Sequence, residues 1–112
     1  MDLLSQQHCT PISKSDAVLS ESQIQQYSTE LNNLWPTDKT GSSISREFQF
    51  KNYYETIAFV NAIAWIVHEQ DHHPDLNVSY NRCLVSFSTH SIAGLSVNDF
   101  ICAAKINEIT NT

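Results

Sequence analysis

One long apolar segment constrains the fold of this chain more than any other feature. Between residues 57 and 67, every residue but one is apolar. Asn52, with Glu55 three residues later, has the pattern of a helix N-cap, and Pro74 limits the helix because residues before proline avoid helical angles. A helix that is apolar nearly all round is usually buried. The sequence therefore predicts that this is the central, most buried helix, with Trp65 in the core.

Two further helix starts carry capping boxes, in which two residues three positions apart satisfy each other's backbone N–H groups. Ser20 with Gln23 forms the first box, and Ser96 with Asp99 forms the second. Each start is also flanked by apolar residues that can pack as a hydrophobic staple: Leu19 with Ile24, and Leu95 with Phe100.

Four short segments between these helices are predicted to be strands: residues 35–38, 43–50, 76–80 and 82–88. Apolar and polar residues alternate in the second of them, and a turn signal at 39–42 joins it to the first. The order helix, two strands, helix, two strands, helix predicts an α+β fold. Its form is a two-layer, four-stranded antiparallel sheet with three helices on one face. Residues 1–18 lack periodicity and are expected to form a loose N-terminal arm on a domain of residues 19–112.

Composition and charge argue against several classes of protein. The 112 residues suffice for one domain, and the formal net charge of −6 disfavours nucleic-acid binding. No stretch reaches the roughly 20 apolar residues of a membrane span, and the first residues lack the features of a signal peptide. The three cysteines are widely spaced and are expected to be reduced thiols. We therefore expect a cytoplasmic protein with no nucleic-acid or membrane partner. Self-association is also expected, because small domains bury limited surface.

Four of the five histidines lie close together in sequence: His68, His72, His73 and His90. Since imidazole titrates near neutral pH, such a cluster suggests proton transfer or metal binding. His68, Glu69 and His72 match HExxH, in which two histidines bind zinc and the glutamate acts as base. The context disfavours a zinc hydrolase, because Pro74 follows at once and a catalytic zinc takes a third protein ligand. His90 could supply that ligand, but the longer motif HExxHxxGxxH is absent.

The metal-free interpretation uses the same histidines as acids and bases. His72 and His73 lie where the central helix ends, His90 follows the last strand, and Asp99 lies in the first turn of the last helix. Elements joined in this order can converge at one end of a small sheet. Carbonyl groups at a helix C-terminus favour imidazolium, which would keep His72 ready to donate a proton.

The spacing of these residues resembles the signature of the pterin-4a-carbinolamine dehydratases, also called 4a-hydroxytetrahydrobiopterin dehydratases. The resemblance covers roughly residues 19–109 and rests on the pattern His68-x3-His72-His73-Pro74-x5-Tyr80-x9-His90-x8-Asp99. The family commonly has an acidic residue at the position of His68, and Glu69 stands beside it. The resemblance therefore assigns no role to His68 or Glu69.

The resemblance implies a hydro-lyase that dehydrates 4a-hydroxytetrahydropterin to quinonoid dihydropterin without metal or cofactor. It would recycle the pterin of an aromatic amino-acid hydroxylase. The hydroxyl needs a proton to leave as water, and N5 needs a base, and both steps suit imidazole. By resemblance, His72 and His90 are the acid and base, His73 binds the pterin and assists, and Asp99 orients a histidine. Further residues implied in binding or orienting the substrate are Asp71, Tyr80, Ser88 and Thr89.

The family also implies a homodimer or homotetramer. One alternative function stays open, because animal members act as dimerisation cofactors of a homeodomain transcription factor. The chain would then be a protein-binding partner. The intact His72, His73 and His90 argue against a degenerate, non-catalytic relative.

Overall fold

A computed structural model describes residues 3–110 and shows helices packed against a three-stranded antiparallel sheet. We number the elements in chain order: α1 (Glu21–Glu30), β1 (Ile44–Gln49), α2 (Tyr53–Gln70), β2 (Asp75–Val78), β3 (Arg82–Phe87) and α3 (Val97–Ile109). Two single-turn 3-10 helices, Leu4–Gln6 and His90–Ile92, complete the regular structure.

All three helices begin where their capping residues predict. The Ser20 hydroxyl accepts from the Gln23 N–H at 3.2 Å, and Asn52 Oδ1 accepts from the Glu55 N–H at 2.9 Å. At α3 the carboxylate of Asp99 accepts from the Ser96 N–H at 2.9 Å. These are local contacts between residues three positions apart, which is why sequence alone predicts them.

The sheet has the strand order β1-β3-β2, with both pairs antiparallel. In β3 the side chains of Cys83, Val85 and Phe87 are fully buried, whereas Arg82 and Leu84 are exposed. This alternation gives the sheet one buried face.

The expected fourth strand at residues 35–38 is wrong. Only an isolated bridge joins Thr37 to Ile44. Pro36 has no N–H to donate to a ladder, and the buried Trp35 is held by a hydrogen bond from its Nε1 to Asn107 Oδ1 at 2.9 Å. Asp38 then closes a turn by accepting from the Ser42 N–H at 2.8 Å. The segment is a loop attached to the edge of β1.

The expectation that α2 is the most buried helix is also wrong, because that helix is α3. Nine of the thirteen residues of α3 are buried, against five of the eighteen in α2. Trp65, expected in the core, is 70% exposed. A three-stranded sheet and one neighbouring helix cover only one side of α2, so its other apolar side faces outward.

The N-terminal arm lies on the domain and is anchored rather than loose. Leu4 is fully buried, and its N–H donates to the Glu30 carboxylate at 2.7 Å. The Lys105 ammonium on α3 donates to the Ser5 carbonyl at 2.9 Å. Between residues 3 and 110, none of the helices combines the length and apolar character that crossing a membrane requires.

Candidate active site

The end of α2 determines where two of the histidines lie. Asp71 has left-handed backbone angles, φ 53° and ψ 41°, and ends the helix. Aspartate is one of the residues that tolerates this conformation. His72 and His73 therefore follow the helix instead of continuing it, so His68 and His72 do not share a helical face. The HExxH spacing does not form the arrangement that a zinc site of this type requires.

His72 and Asp99 form a close pair that joins the end of α2 to the start of α3. Nε2 of His72 lies 2.6 Å from Oδ1 of Asp99. The imidazole is 12% exposed and the carboxylate is fully buried. The imidazole also stacks on Phe87 of β3, with ring centroids 6.1 Å apart and 10° between the ring planes. Packing and hydrogen bonding thus fix the orientation of His72.

The second carboxylate oxygen of Asp99 is held by two further donors. Oδ2 accepts from the Thr89 hydroxyl at 2.8 Å and from the Ser96 N–H at 2.9 Å. The hydroxyls of Thr89 and Ser96 are 2.7 Å apart. Since Thr89 gives its only hydroxyl proton to Asp99, Ser96 is the donor in that contact. This buried network holds Asp99 in one position.

The electrostatics of the pair favour a protonated His72. A buried carboxylate is costly unless it is paired and hydrogen-bonded, and Asp99 also gains from its place in the first turn of α3. Burial by itself lowers the pKa of His72, but the hydrogen bond and the charge of Asp99, with smaller contributions from Cys9 and Asp71, outweigh it and raise the pKa above its usual value. Because Nε2 is engaged by Asp99, Nδ1 is the nitrogen available to a ligand. It has no hydrogen-bond partner within residues 3–110.

An open cavity of about 490 Å³ adjoins this pair, a volume that suits a small molecule. Six of the residues expected at the site line it: Asp71, His72, His73, Ser88, Thr89 and His90. Asp99 contacts His72 from the side of α3, so the structure brings these seven residues together. A larger hollow of about 730 Å³ beside α1 has no histidine in its walls, so we place the chemistry in the smaller one.

Three of the sequence-predicted residues lie elsewhere. Tyr80 stacks on Tyr53 at the start of α2, with ring centroids 6.4 Å apart. The eighteen residues of α2, a length of about 27 Å, separate that end from the site. His68 and Glu69 are exposed on the last turn of α2 and do not line the cavity. No group of three or more His, Cys, Asp or Glu side chains suited to a metal occurs in the described part of the chain.

Sequence reasoning missed the part of the cavity wall that the N-terminal arm contributes. The arm residues in that wall are Cys9, Thr10, Pro11 and Ile12. Nothing in their order is periodic, so no sequence pattern indicates that they dock here. Cys9 Sγ lies 3.6 Å from Sγ of the buried Cys102. The Cys102 hydrogen bond lowers the pKa of the Cys9 thiol.

Comparison with known proteins gives a consistent result. Residues 17–109 match the family model of pterin 4 alpha carbinolamine dehydratase. A protein of Stenotrophomonas maltophilia (strain K279a), named "Putative pterin-4-alpha-carbinolamine dehydratase", is 50% identical over 107 residues, which cover 96% of this chain and 91% of that protein. A Legionella pneumophila (strain Corby) protein with the same name is 50% identical over 106 residues, covering 95% of this chain and 94% of that protein.

Two solved structures resemble the fold. One is the crystal structure of a transcriptional coactivator/pterin dehydratase from Brucella melitensis. It has a TM-score of 0.77 and 31% identity, and the match covers 83% of this chain and 98% of that one. The other is a pterin dehydratase-like protein described as a RuBisCO assembly factor in the alpha-carboxysome. Its TM-score is 0.61 and its identity 20%, with 70% of this chain and 90% of that one covered. The second likeness shows the fold alone.

Proposed function

Because the chain belongs to the pterin 4 alpha carbinolamine dehydratase family, we propose that it dehydrates 4a-hydroxytetrahydropterin to quinonoid dihydropterin and water. The supporting observation is the buried His72–Asp99 pair beside a cavity that also contains His73 and His90. The proposed reaction recycles the pterin of an aromatic amino-acid hydroxylase and uses neither metal nor cofactor.

In the proposed mechanism His72 is the general acid. The C4a–O bond breaks with its electron pair leaving on oxygen, and Nδ1 of the imidazolium protonates that oxygen to release water. Asp99 supports this step, because a buried carboxylate on Nε2 stabilises the protonated ring. The raised pKa of His72 increases the share of its acid form at a given pH.

His90 is the proposed base. It takes the N5 proton, and the N5–H electron pair becomes the N5=C4a double bond of the product. One proton leaves His72 and one arrives on His90, so exchange with solvent resets both residues. His90 is exposed at the start of the 3-10 helix after β3, where solvent can reach it. His73, exposed in the cavity wall, would contact the pterin and assist.

Stopped-flow measurement of 4a-hydroxytetrahydropterin dehydration tests the proposal. We expect the purified chain to accelerate the reaction without added cofactor. His72→Ala and His90→Ala should each lose about 10²-fold or more in kcat while circular dichroism shows them folded. If both variants dehydrate the substrate as fast as the parent, the acid/base assignment is wrong.

We also propose that the chain works as a homodimer or homotetramer in the cytoplasm. The outward side of α2 carries Tyr54 and Trp65, which are 85% and 70% exposed. Ala58 and Ala62 lie between them at helical spacing. A second copy would cover this apolar surface. The reduced state of all three cysteines, two of them in contact, suits a reducing compartment.

A protein-binding role is the alternative, since the Brucella relative is named a transcriptional coactivator as well as a pterin dehydratase. The exposed side of α2 would then bind a helix of the partner. Light scattering of the chain mixed with the dimerisation segment of a homeodomain factor distinguishes the two. A complex formed by a preparation that does not dehydrate the pterin would replace the catalytic proposal.

A further inference from the structure

The N-terminal arm crosses the candidate site, although it lies outside the residues that the family model matches. The family model begins at residue 17, yet Cys9, Thr10, Pro11 and Ile12 form part of the wall around the three histidines. A segment that the family pattern does not include therefore contributes to the shape of the cavity.

On one side the arm is attached to the end of α2. The Cys9 N–H donates to Gln70 Oε1 at 2.8 Å, and Gln70 is itself buried. The contact between Cys9 and Cys102 adds a second attachment, to α3. Cys9 is thus held by Gln70, which lies two residues before His72 at the helix end that positions this imidazole.

In the middle, one buried side chain holds both backbone groups of Thr10. Asn98 Oδ1 accepts from the Thr10 N–H at 3.1 Å, and Asn98 Nδ2 donates to the Thr10 carbonyl at 2.7 Å. Asn98 is 4% exposed and precedes Asp99 in α3. This two-bond contact fixes Thr10 relative to the His72–Asp99 pair.

On the other side the arm is attached next to His90. The Ser91 hydroxyl donates to the Ile12 carbonyl at 3.1 Å. The arm therefore runs from the helix end that carries His72 to the 3-10 helix that begins at His90, and it is hydrogen-bonded at both ends and in the middle.

The chemistry of the substrate indicates what this wall would contact. The reacting atoms of a 4a-hydroxytetrahydropterin are C4a and N5, and C6 is bonded to N5. A substituent on C6 is therefore attached one bond from N5, so it begins beside the groups that act on N5. The fused ring is common to all pterins, whereas the C6 substituent varies. Thr10 is exposed and lines the cavity, and its hydroxyl makes no hydrogen bond to another group in residues 3–110.

We propose that Thr10, Pro11 and Ile12 form the specificity wall of the site, and that the Thr10 hydroxyl binds a hydroxyl on the C6 substituent. Asn98 is a positioning residue that acts through Thr10. This inference rests on the proposed dehydratase function. It goes further by assigning the contact with the C6 side chain to the N-terminal arm, which lies outside the residues that the family model matches.

The test compares two substrates, the 4a-hydroxytetrahydropterins with a 6-(1,2-dihydroxypropyl) and a 6-methyl group. Thr10→Val keeps the shape of the side chain but removes the hydroxyl. We expect it to raise KM for the dihydroxypropyl substrate about fivefold to tenfold, since one hydrogen bond is worth about 1 kcal/mol. The kcat for this substrate and both constants for the 6-methyl substrate should not change. Thr10→Ser, which keeps the hydroxyl, should behave as the parent.

Asn98 is tested in the same assay. Asn98→Ala should raise KM for the dihydroxypropyl substrate in the parent but add nothing further in the Thr10→Val background, because its effect passes through Thr10. An equal loss with both substrates would show that Asn98 is only structural.

The outcomes separate the two proposals. If the parent dehydrates both substrates and Thr10→Val changes neither KM, or changes both equally, the specificity wall is wrong and the dehydratase function stands. If the parent dehydrates neither substrate, the proposed function fails, and the specificity wall fails with it.

Discussion

Replacing the Asp99 carboxylate by an amide gives the sharpest test of the site. In Asp99→Asn the amide oxygen can still accept from Thr89 and from the Ser96 N–H, so the cap of α3 persists. The amide NH₂ then faces Nε2 of His72, which must become an acceptor. The substitution thus removes the charge and reverses the preferred tautomer of His72 while keeping most of the packing.

The expected effect on His72 follows from the opposing influences on its pKa. Burial lowers this pKa, and in the parent Asp99, with smaller contributions from Cys9 and Asp71, outweighs that effect. Without the carboxylate, only the smaller influences of Cys9 and Asp71 oppose burial, so the pKa of His72 should fall. Less of the acid form is then present at a given pH and the ring has lost its preferred tautomer, so we expect kcat to fall about 10²–10³-fold, within the usual range for losing a general acid. The descending limb of the pH–rate profile, where activity is lost as His72 deprotonates, should move to lower pH.

The free energy of unfolding should also fall in Asp99→Asn, by an amount that depends on pH. A group whose pKa is raised on folding stabilises the protein below its unfolded pKa, and this contribution is lost as pH rises through the folded pKa. The parent should therefore exceed Asp99→Asn in unfolding free energy by more at about pH 5.5, below the usual histidine pKa of ~6.5, than at about pH 9. We expect a cost of about 2–3 kcal/mol at the lower pH, because a buried charged hydrogen bond is lost. That leaves a domain of ordinary stability folded.

Proton NMR titration of the histidine Cε1–H signals gives the decisive measurement, with His72 assigned by its absence from the His72→Ala spectrum. Glu108→Gln is the matched control, because it removes one negative charge from the same helix at an exposed position. It should leave the His72 pKa and the pH–rate profile unchanged. A His72 pKa that is the same in Asp99→Asn and the parent would refute the role given to the carboxylate.

Three further predictions follow from the same structure. His68→Glu should keep most of the dehydratase activity, because His68 lies outside the cavity. Chelators should not affect the parent. Loss of activity on chelation, together with about one bound zinc per chain, would contradict this prediction. Iodoacetamide should modify Cys9 before the other two cysteines, because the pKa of the Cys9 thiol is lowered. Burial raises the pKa of Cys83, and the contact with Cys9 raises the pKa of Cys102. Mass spectrometry showing equal labelling of all three cysteines in the folded protein would contradict this prediction. Light scattering should give at least twice 12.7 kDa for the parent and a smaller mass for Trp65→Glu, whereas a monomeric parent at micromolar concentration would rule out self-association.

The sequence predicted those parts of the fold that depend on neighbouring residues. The caps at Ser20, Asn52 and Ser96 were predictable because each joins residues three positions apart. The burial of α2 was not predictable, because burial depends on how many elements surround a helix. The apolar pattern of the helix itself does not show that number. The segment at residues 35–38 failed for a related reason. Its place beside a turn signal suggested a strand, but Pro36 and the distant partner of Trp35, Asn107, determine its structure.

The candidate site was likewise predictable only in part from the sequence. The order of the elements suggested that His72, His90 and Asp99 converge, since consecutive elements of a small sheet domain meet at its ends. The arm could not be placed, because its attachments to Gln70 and Asn98 join residues 61 and 88 positions apart in sequence. Such contacts pair a side chain with a backbone group, and so they leave no repeating pattern.

Asp99 shows why a capping pattern and a site pattern can coincide in one residue. As the third residue of α3, it has the position of a capping carboxylate, and that interpretation alone would assign it no role in catalysis. In the structure the two carboxylate oxygens of Asp99 have different partners. Oδ2 holds Thr89 and the Ser96 N–H, which fixes the start of α3, while Oδ1 holds His72. The cap therefore determines where the charge lies relative to the imidazole. An amide can keep the first function but not the second, so Asp99→Asn separates helix capping from the control of His72.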